Sequence, residues 1–588
     1  MTLIGDLLIM TSSYNAEEKN HMNNQNNQES KDSPSGAPEK HSPPPGPPGG
    51  TPGQPDNDNI PWGALLILVL GAFMAILDTS IVNVALPKMM VIFGASADEI
   101  QWILTGYMLT SGMVIPMTGF LGDRYGNKLM YIWSLIIFTI GSALCGLAWS
   151  NNSMIAFRVI QAIGGGMVMP VTMAIIYRIV PMRKIGTALG VWGIGAIMGP
   201  AIGPTLGGYL VDKFSWHWIF TINIPVGILT IILAYVLLKE TPLMPHLKID
   251  IPGMILSSSG CFCLLLALSK GQDEGWTSEY IVTLLVLSFF LILLFILWEL
   301  QCEQPLLEVR LLKNKVIVAS LLSTSLVTVG LFSAVFLVPI YAQNLMGYTP
   351  MQTGLMMMPA ALVTGFMMPI SGKLFDKYGA LPLGLVGLTI LAVLTYQMKY
   401  ISTDTTFTHV QVLLSIRAIG LGLAMMPLTT AGMNTVPRFL VSRASALNNV
   451  VRQISGSMGI AYLTYVMLQR QTYHTVWLKE AVNVSSPGAA LTQKTLVSYL
   501  AGMGYTGEAG NQAALSIMSS MVTKQAYMNG IQDAFIVSAL LVVISLPLLF
   551  MLSKKQVDQQ RDIENNRYAH QAVPPHGLPA AKPETAKA

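Results

Sequence analysis

The sequence predicts an all-α integral membrane protein: two six-helix bundles plus an inserted central helix pair, fourteen transmembrane helices in all. Three observations predict it. The 588-residue chain is 52% hydrophobic and only 11% charged, with a mean hydropathy of +0.53, whereas soluble domains carry about a quarter charged residues. Its apolar residues come in runs close to the roughly 20 residues needed to cross a bilayer's hydrocarbon core. One pattern also occurs twice: residues 119–126 read Gly-Phe-Leu-Gly-Asp-Arg-Tyr-Gly and 372–379 read Gly-Lys-Leu-Phe-Asp-Lys-Tyr-Gly. Each copy follows an apolar run, so the repeat marks a polar hinge at the same point of two related halves.

Apolar runs fall at 62–86, 101–122, 129–148, 154–177, 185–210, 218–238, 252–270, 281–299, 316–341, 352–371, 381–400, 410–436, 445–466 and 530–552. The motif copies begin 253 residues apart, at 119 and 372, but a six-helix half occupies only roughly 180 residues. Residues 241–314 supply the excess and hold two runs, the inserted pair. The expected layout is a polar tail 1–59, a first bundle 60–240, a two-helix linker 241–314, a second bundle 315–552 and a polar tail 553–588. The Asn-, Pro-, Gly- and Ser-rich first tail buries too little apolar surface to order itself. Residues 467–528 read as one long external loop with amphipathic stretches, suited to a lid, a docking surface or a hairpin. It contains the glycosylation-type tripeptide 483–485.

Basic residues cluster in alternate loops, including Arg124 and Lys128, Arg178, Arg183 and Lys184, Lys373 and Lys377, and Arg438 and Arg443. The positive-inside rule places those loops, and both termini, in the cytoplasm of a multi-pass cell-membrane protein. Net charge is +4, without the basic stripe and interleaved aromatics of a nucleic-acid binder. Cys145, Cys261, Cys263 and Cys302 have neither disulfide-framework nor metal-ligand spacing. No phosphate-binding loop of the Gly-x4-Gly-Lys-Ser/Thr type is present.

Several segments carry a family resemblance. The repeated loop is similar to the cytoplasmic-loop signature of the major facilitator superfamily. Residues 77–87 (Leu-Asp-Thr-Ser-Ile-Val-Asn-Val-Ala-Leu-Pro), 158–164 (Arg-Val-Ile-Gln-Ala-Ile-Gly), the Gly/Pro-rich 190–208 and 447–453 (Leu-Asn-Asn-Val-Val-Arg-Gln) resemble its fourteen-helix drug:proton antiporters of the EmrB/QacA type. The resemblance covers roughly 60–552. It implies a major facilitator fold and a gating loop made of Gly119, Gly122, Asp123, Arg124, Gly126 and Lys128, with Asp376 and Lys377 in the second copy. The chain departs from the family at Asn127, where a second basic residue is usual, and the second copy has no basic residue after Gly379. Physically, the glycines permit close helix approach. A carboxylate at Asp123 can bond a neighbouring helix N-terminus or a cation.

Asp78 lies well inside the first run, where an isolated carboxylate costs about 2.5–3.5 kcal/mol on insertion scales. A carboxyl removed from water takes up a proton more readily, which suits proton coupling; the alternative is a structural ion pair with Arg158. Arg158 and Gln161 share one face of the fourth run, and the resemblance assigns that arginine to proton transfer. Arg417 occupies the corresponding run of the second half. Gly195, Gly199, Gly203 and Gly207 recur every fourth residue, with Pro200 and Pro204 between them, as in a tight, bent packing seam. In the family this is the antiporter motif, at the contact between halves. Asn448, Arg452, Ser455 and Gly459 form a polar stripe, and Arg452 is expected to meet a latch carboxylate or line the central cavity. Asp533 opens the last run as an interfacial aspartate or a second proton site.

The expected function is proton-coupled efflux of amphipathic, often cationic small molecules by alternating access, driven by the proton motive force with no cofactor. A same-fold exporter of one physiological substrate (a lipid, a peptide or a self-made antibiotic) is the alternative. The partners are substrates, protons and the bilayer; whether an accessory export protein extends the path stays open. The chain has neither the catalytic constellation of an enzyme nor the sensor domain of a receptor.

Overall fold

A computed structural model describes residues 59–567, apart from 242, 243, 245 and 483–485. The polar ends 1–58 and 568–588 and the tripeptide at 483–485 therefore lie outside the described residues. Within them the principal helices are α1 (Trp62–Phe93), α2 (Ala97–Tyr125), α3 (Asn127–Cys145), α4 (Asn151–Ile179), α5 (Ile185–Lys213) and α6 (Asn223–Leu237). The linker pair is α7 (Ile251–Glu274) and α8 (Glu279–Gln301). The remainder are α9 (Lys315–Ile340), α10 (Pro350–Tyr378), α11 (Ala380–Gln397), α12 (Phe407–Met433), α13 (Val441–Ala481), α14 (Pro487–Gly502), α15 (Gly507–Ile544) and α16 (Lys554–Arg567).

Local chemistry sets the boundaries. Ser96 accepts a hydrogen bond from the Glu99 amide while the Glu99 carboxylate accepts one from the Ser96 amide, a reciprocal cap that starts α2. Thr349 and Gln352 do the same for α10. Both α2 and α10 end on the last glycine of the repeated motif. Gly126 has φ 99° and Gly379 φ 80°, values that favour glycine, and each lets a new helix begin at the next residue. The repeat is thus a helix-turn-helix corner used twice.

Among the described residues, twelve segments are long and apolar enough to span a membrane, and the bent pair Met182–Pro200 and Ile202–Lys213 makes a thirteenth. The bend of 40° in α5 falls between Pro200 and Pro204, where two intrahelical hydrogen bonds are missing. The run expected at 445–466 falls short on apolarity. It belongs to α13, whose buried Arg443, Asn448 and Asn449 face protein.

The segment expected as a loop at 467–528 is instead mostly helical among its described residues. α13 runs unbroken for 41 residues, about 62 Å at 1.5 Å per residue. No proline interrupts it, and the next helix starts at Pro487 under a Ser486 cap. α15 begins at Gly507, well before the predicted 530, and packs on α13. Arg470 and His474 of α13 both meet Asp533 Oδ2 of α15, at 2.5 and 2.9 Å, so Asp533 is a tie between helices. The start of the C-terminal tail is also helical, as α16.

Helices α1–α6 pack among themselves, as do α9–α13 with α15. The two groups meet through α5 on α10 and α2 on α13, and α7 lies against α2 and α13. The glycine stripe in α5 departs from expectation. A Cβ at Gly195 would sit 2.8 Å from Val69 O, and one at Gly199 2.9 Å from Leu77 N. The stripe thus packs on α1, inside the first group. The contact with the other group uses a different ridge of α5: Gly186 lies against Gly372, and Gly190 against Met368 and Pro369. A repeat of four drifts around a helix, and α5 carries enough glycine for two faces. Gly199→Leu should destabilise the protein by about 1–3 kcal/mol through overpacking against backbone, read as a lower unfolding temperature in detergent.

Candidate functional site

Asp78, Arg158 and Gln161 converge in one fully enclosed cluster. Asp78 sits about 24 Å along an α1 of about 48 Å, near the middle of the helix. Arg158 and Gln161 lie one turn apart on α4. Asp78, Arg158, Gln161 and Ser142 are each 0% exposed and Asn223 is 2% exposed. Arg158 Nη1 donates to Asp78 Oδ2 and to Gln161 Oε1, both at 2.6 Å. Gln161 Nε2 donates to Asp78 Oδ1 at 2.9 Å and to Ser142 Oγ at 2.5 Å. Asn223 Nδ2 donates to Asp78 Oδ1 at 2.9 Å. The guanidinium lies 4.2 Å from the Tyr107 ring centroid. Phe220 closes another side, with its centroid 5.8 Å away.

Every side chain touching the Asp78 carboxylate is a donor, so the cluster matches an acceptor-only, ionised carboxylate. Four helices (α1, α3, α4 and α6) contribute, and Gln161 joins cation to anion by using both ends of its amide. Protonation of Asp78 would leave a buried guanidinium short of its counter-ion, which is strongly unfavourable. The charge state of this carboxyl and the packing of the four helices are therefore linked. Arg158 Nη2 has no hydrogen-bond partner, so the guanidinium has an unused donor inside the bundle.

The second half builds the same socket without the acid. Arg417 of α12 is 4% exposed. Its Nε donates to Thr395 Oγ1 of α11 at 2.9 Å, and its Nη2 donates to Gly330 O of α9. Among the described residues no carboxylate forms an ion pair with it.

The motif copies form a second constellation, across the contact between helix groups. Gly119 allows α2 to touch α13: a Cβ there would lie 2.7 Å from Ser442 O and 2.8 Å from Arg443 Cα. Asp123, 1% exposed, then reaches Arg178 Nη2 of α4 at 2.7 Å and Arg443 Nε of α13 at 3.3 Å. Ser442 Oγ accepts from Arg178 Nη2 at 3.0 Å. In the second copy Gly372 meets Gly186. Asp376 accepts from the backbone amides of Gly186 and Thr187 at 3.0 and 3.1 Å and from Thr187 Oγ1 at 2.8 Å. That carboxylate caps the start of α5, where the helix dipole favours negative charge. One copy thus uses cations and the other a helix N-terminus.

Other candidates land elsewhere. Arg124 donates to Leu247 O at 2.8 Å and Lys128 to Tyr235 O at 2.7 Å, so Asp123's cations are not its sequence neighbours. Lys377 lies over the Tyr378 ring, 5.1 Å from its centroid. Gly122 leaves room for the Asn127 side chain, which bonds Thr241 and Ser442 at 3.2 and 3.4 Å in place of a basic residue. Arg452 donates to Asn449 Oδ1 at 2.8 Å on its own helix; Arg443 is the α13 arginine that meets the latch. Reading the sequence missed Asn223, Ser142 and the pairing of Arg178 with Asp123. The available signals were single polar residues in apolar runs and an arginine in the last turn of a span.

The profile of the Major Facilitator Superfamily matches residues 68–460. The chain is 36% identical over 510 residues to the uncharacterized MFS-type transporter YhcA of Bacillus subtilis (strain 168), covering 87% of this chain and 96% of the relative. It is 30% identical over 489 residues to the multidrug export protein EmrB of Escherichia coli (strain K12), covering 82% and 94%. Among solved structures, the proton:xylose symporter XylE has the same fold, with a TM-score of 0.55 at 12% identity, covering 85% of this chain and 98% of that one. With helices, corners and buried polar clusters in this arrangement, the chain belongs to the Major Facilitator Superfamily: it is a multi-pass membrane transporter related to the EmrB multidrug exporters, not an enzyme.

Proposed function

We propose that this protein is a proton-coupled exporter of amphipathic, often cationic small molecules, working by alternating access. The observation that carries the reading is the enclosed Asp78–Arg158–Gln161 cluster, a titratable carboxyl whose charge is tied to the packing of four helices. Relatives named as multidrug exporters support the substrate class. In this reading α13 spans the membrane with its polar stripe facing protein, giving fourteen spans as two six-helix bundles around the α7–α8 pair. The basic loops and both termini face the cytoplasm of a cell-membrane protein.

A proton entering from outside neutralises Asp78 and loosens its hold on Arg158. The bundles then rock about a central site and substrate leaves. Asp123 with Arg178 and Arg443, and Asp376 on the α5 N-terminus, hold the cytoplasmic side shut in one state. Gln161 orients the buried pair, and the α5 glycines keep α1 and α5 moving as one body. The driving force is roughly 2.3 kcal/mol per charge per 100 mV, plus about 1.4 kcal/mol per pH unit. The test is efflux of a fluorescent cationic dye from loaded cells, with and without a protonophore. Efflux that stops on addition of protonophore is the expected result; efflux that persists overturns proton coupling.

A further inference from the structure

A third buried polar group lies where the α7–α8 pair meets the gate. Asp250, at the start of α7, and Glu299, in the last turn of α8, are 6% and 1% exposed. They flank one glycine: a Cβ on Gly253 would lie 2.8 Å from Asp250 Cγ and 3.0 Å from Glu299 Oε1. Asp250 Oδ1 accepts from the Gly253 amide at 3.0 Å and from Trp298 Nε1 at 2.8 Å. Glu299 Oε1 accepts from the Leu306 amide at 3.2 Å, and the Leu307 amide also faces the carboxyl. Glu299 Oε2 and Asp250 Oδ2 are buried and have no hydrogen-bond partner.

Two carboxyls this close, with no cation between them, do not both stay ionised. The surroundings say which keeps the charge. Asp250 caps the N-terminus of α7, where the dipole is positive, and takes an indole N–H. Glu299 sits at the negative end of α8 with an oxygen that has no hydrogen-bond partner. Besides Asp250, the groups within electrostatic reach of Glu299 are Cys302 and Arg443, and Glu308 with Arg310 shares that Arg443. Arg310 Nη1 lies 3.8 Å from Glu308 Oε1. Burial raises the pKa of the Cys302 thiol and of Glu308, and since a thiol and a carboxyl are never positively charged, neither offers Glu299 a cation. Arg443, within electrostatic reach of Glu299 and Glu308, is held by Asp123 at 3.3 Å.

We propose that Glu299 is a second proton-binding site, distinct from Asp78, loaded while Asp123 holds Arg443 and unloaded when the gate parts and Arg443 turns to Glu299. The unloading step rests on the gate reading given above. A proton leaves the Glu299 carboxyl for solvent, and Arg443 exchanges one carboxylate partner for another. The inserted pair thereby acquires a task, linking proton release to opening of the motif-bearing side.

Infrared difference spectroscopy on the full chain in proteoliposomes tests this without reference to transport, so its outcome is separate from that of dye efflux. The wild type should show a protonated-carboxyl band that persists at a pH where exposed carboxyls are ionised. Glu299→Gln, which copies the shape of the protonated acid, should remove it. Asp250→Asn should keep the band but shift its disappearance to lower pH, since the neighbouring negative charge that favours the protonated acid is gone. Asp123→Asn, which frees Arg443, should shift it to lower pH. A band unchanged in Glu299→Gln overturns the site. A band insensitive to Asp123→Asn overturns its link to the gate. A band that emerges only when sodium is removed overturns the proton in favour of a cation.

Discussion

Asp78→Asn is expected to abolish proton-driven efflux while the protein still inserts into the membrane. Asparagine fits the space but cannot ionise, and its amide nitrogen brings a donor into a ring of donors. Arg158 is left buried beside a neutral group, and removing one partner of such a pair typically costs about 3–5 kcal/mol. Stability and transport should therefore both fall, and a second substitution separates them. With Arg158→Gln added, the uncompensated charge is gone, and unfolding temperature in detergent should recover most of the loss. Transport should not recover, because no group in the cluster can then carry a proton. Dye accumulation in everted vesicles is the readout. Unchanged accumulation in Asp78→Asn, or recovery in the double variant, would sink the coupling role.

Asp123→Asn should slow turnover far more than it weakens substrate binding. The carboxylate lies between Arg178 and Arg443, which face each other across the contact between helix groups once its charge is removed. Losing one member of a buried charge cluster costs about 2–5 kcal/mol. A loss of about 2–3 kcal/mol from the closed state alone moves the conformational balance by about 30- to 140-fold. Cysteines placed on the facing surfaces of α2 and α13 should label faster from the motif-bearing side. Substrate affinity measured by dye fluorescence should stay within a few-fold of wild type. If binding disappears together with folding, Asp123 is a structural residue and the latch reading fails. Asp376→Asn should have the smaller effect, because asparagine keeps an oxygen for the Gly186 and Thr187 amides.

The sequence made the main actors readable where one residue type is costly enough to need a reason. A carboxylate and an arginine in apolar runs are such residues, and Asp78 and Arg158 meet at 2.6 Å. Asn223 and Ser142 escaped notice because a lone amide or hydroxyl in a span costs little and has many uses. Arg452 drew attention through its motif, whereas Arg443 makes the contact. The close approach is fixed by Gly119, and nine residues along α13, about 13 Å, put Arg452 beyond reach. The four-residue glycine repeat gave a seam but not its partner, since either face of α5 has small residues. The expected loop at 467–528 became mostly helix for a thermodynamic reason: polar helices can be stabilised by a neighbour that no local pattern reveals, here α15 against α13.

The length of α13 has a mechanical consequence. At about 62 Å it is twice the thickness of a ~30 Å hydrocarbon core, and its Asp533 tie to α15 stiffens the far portion. One end sits in the Asp123 gate; the other carries Trp477 into the open, 64% exposed. A stiff rod pivoted near its middle is a lever. Each 10° of tilt moves a tip about 30 Å from the pivot by roughly 5 Å. Motions too small to follow inside the membrane are thereby displayed at an accessible surface, where a dye near Trp477 becomes a gauge of the gate at the opposite end.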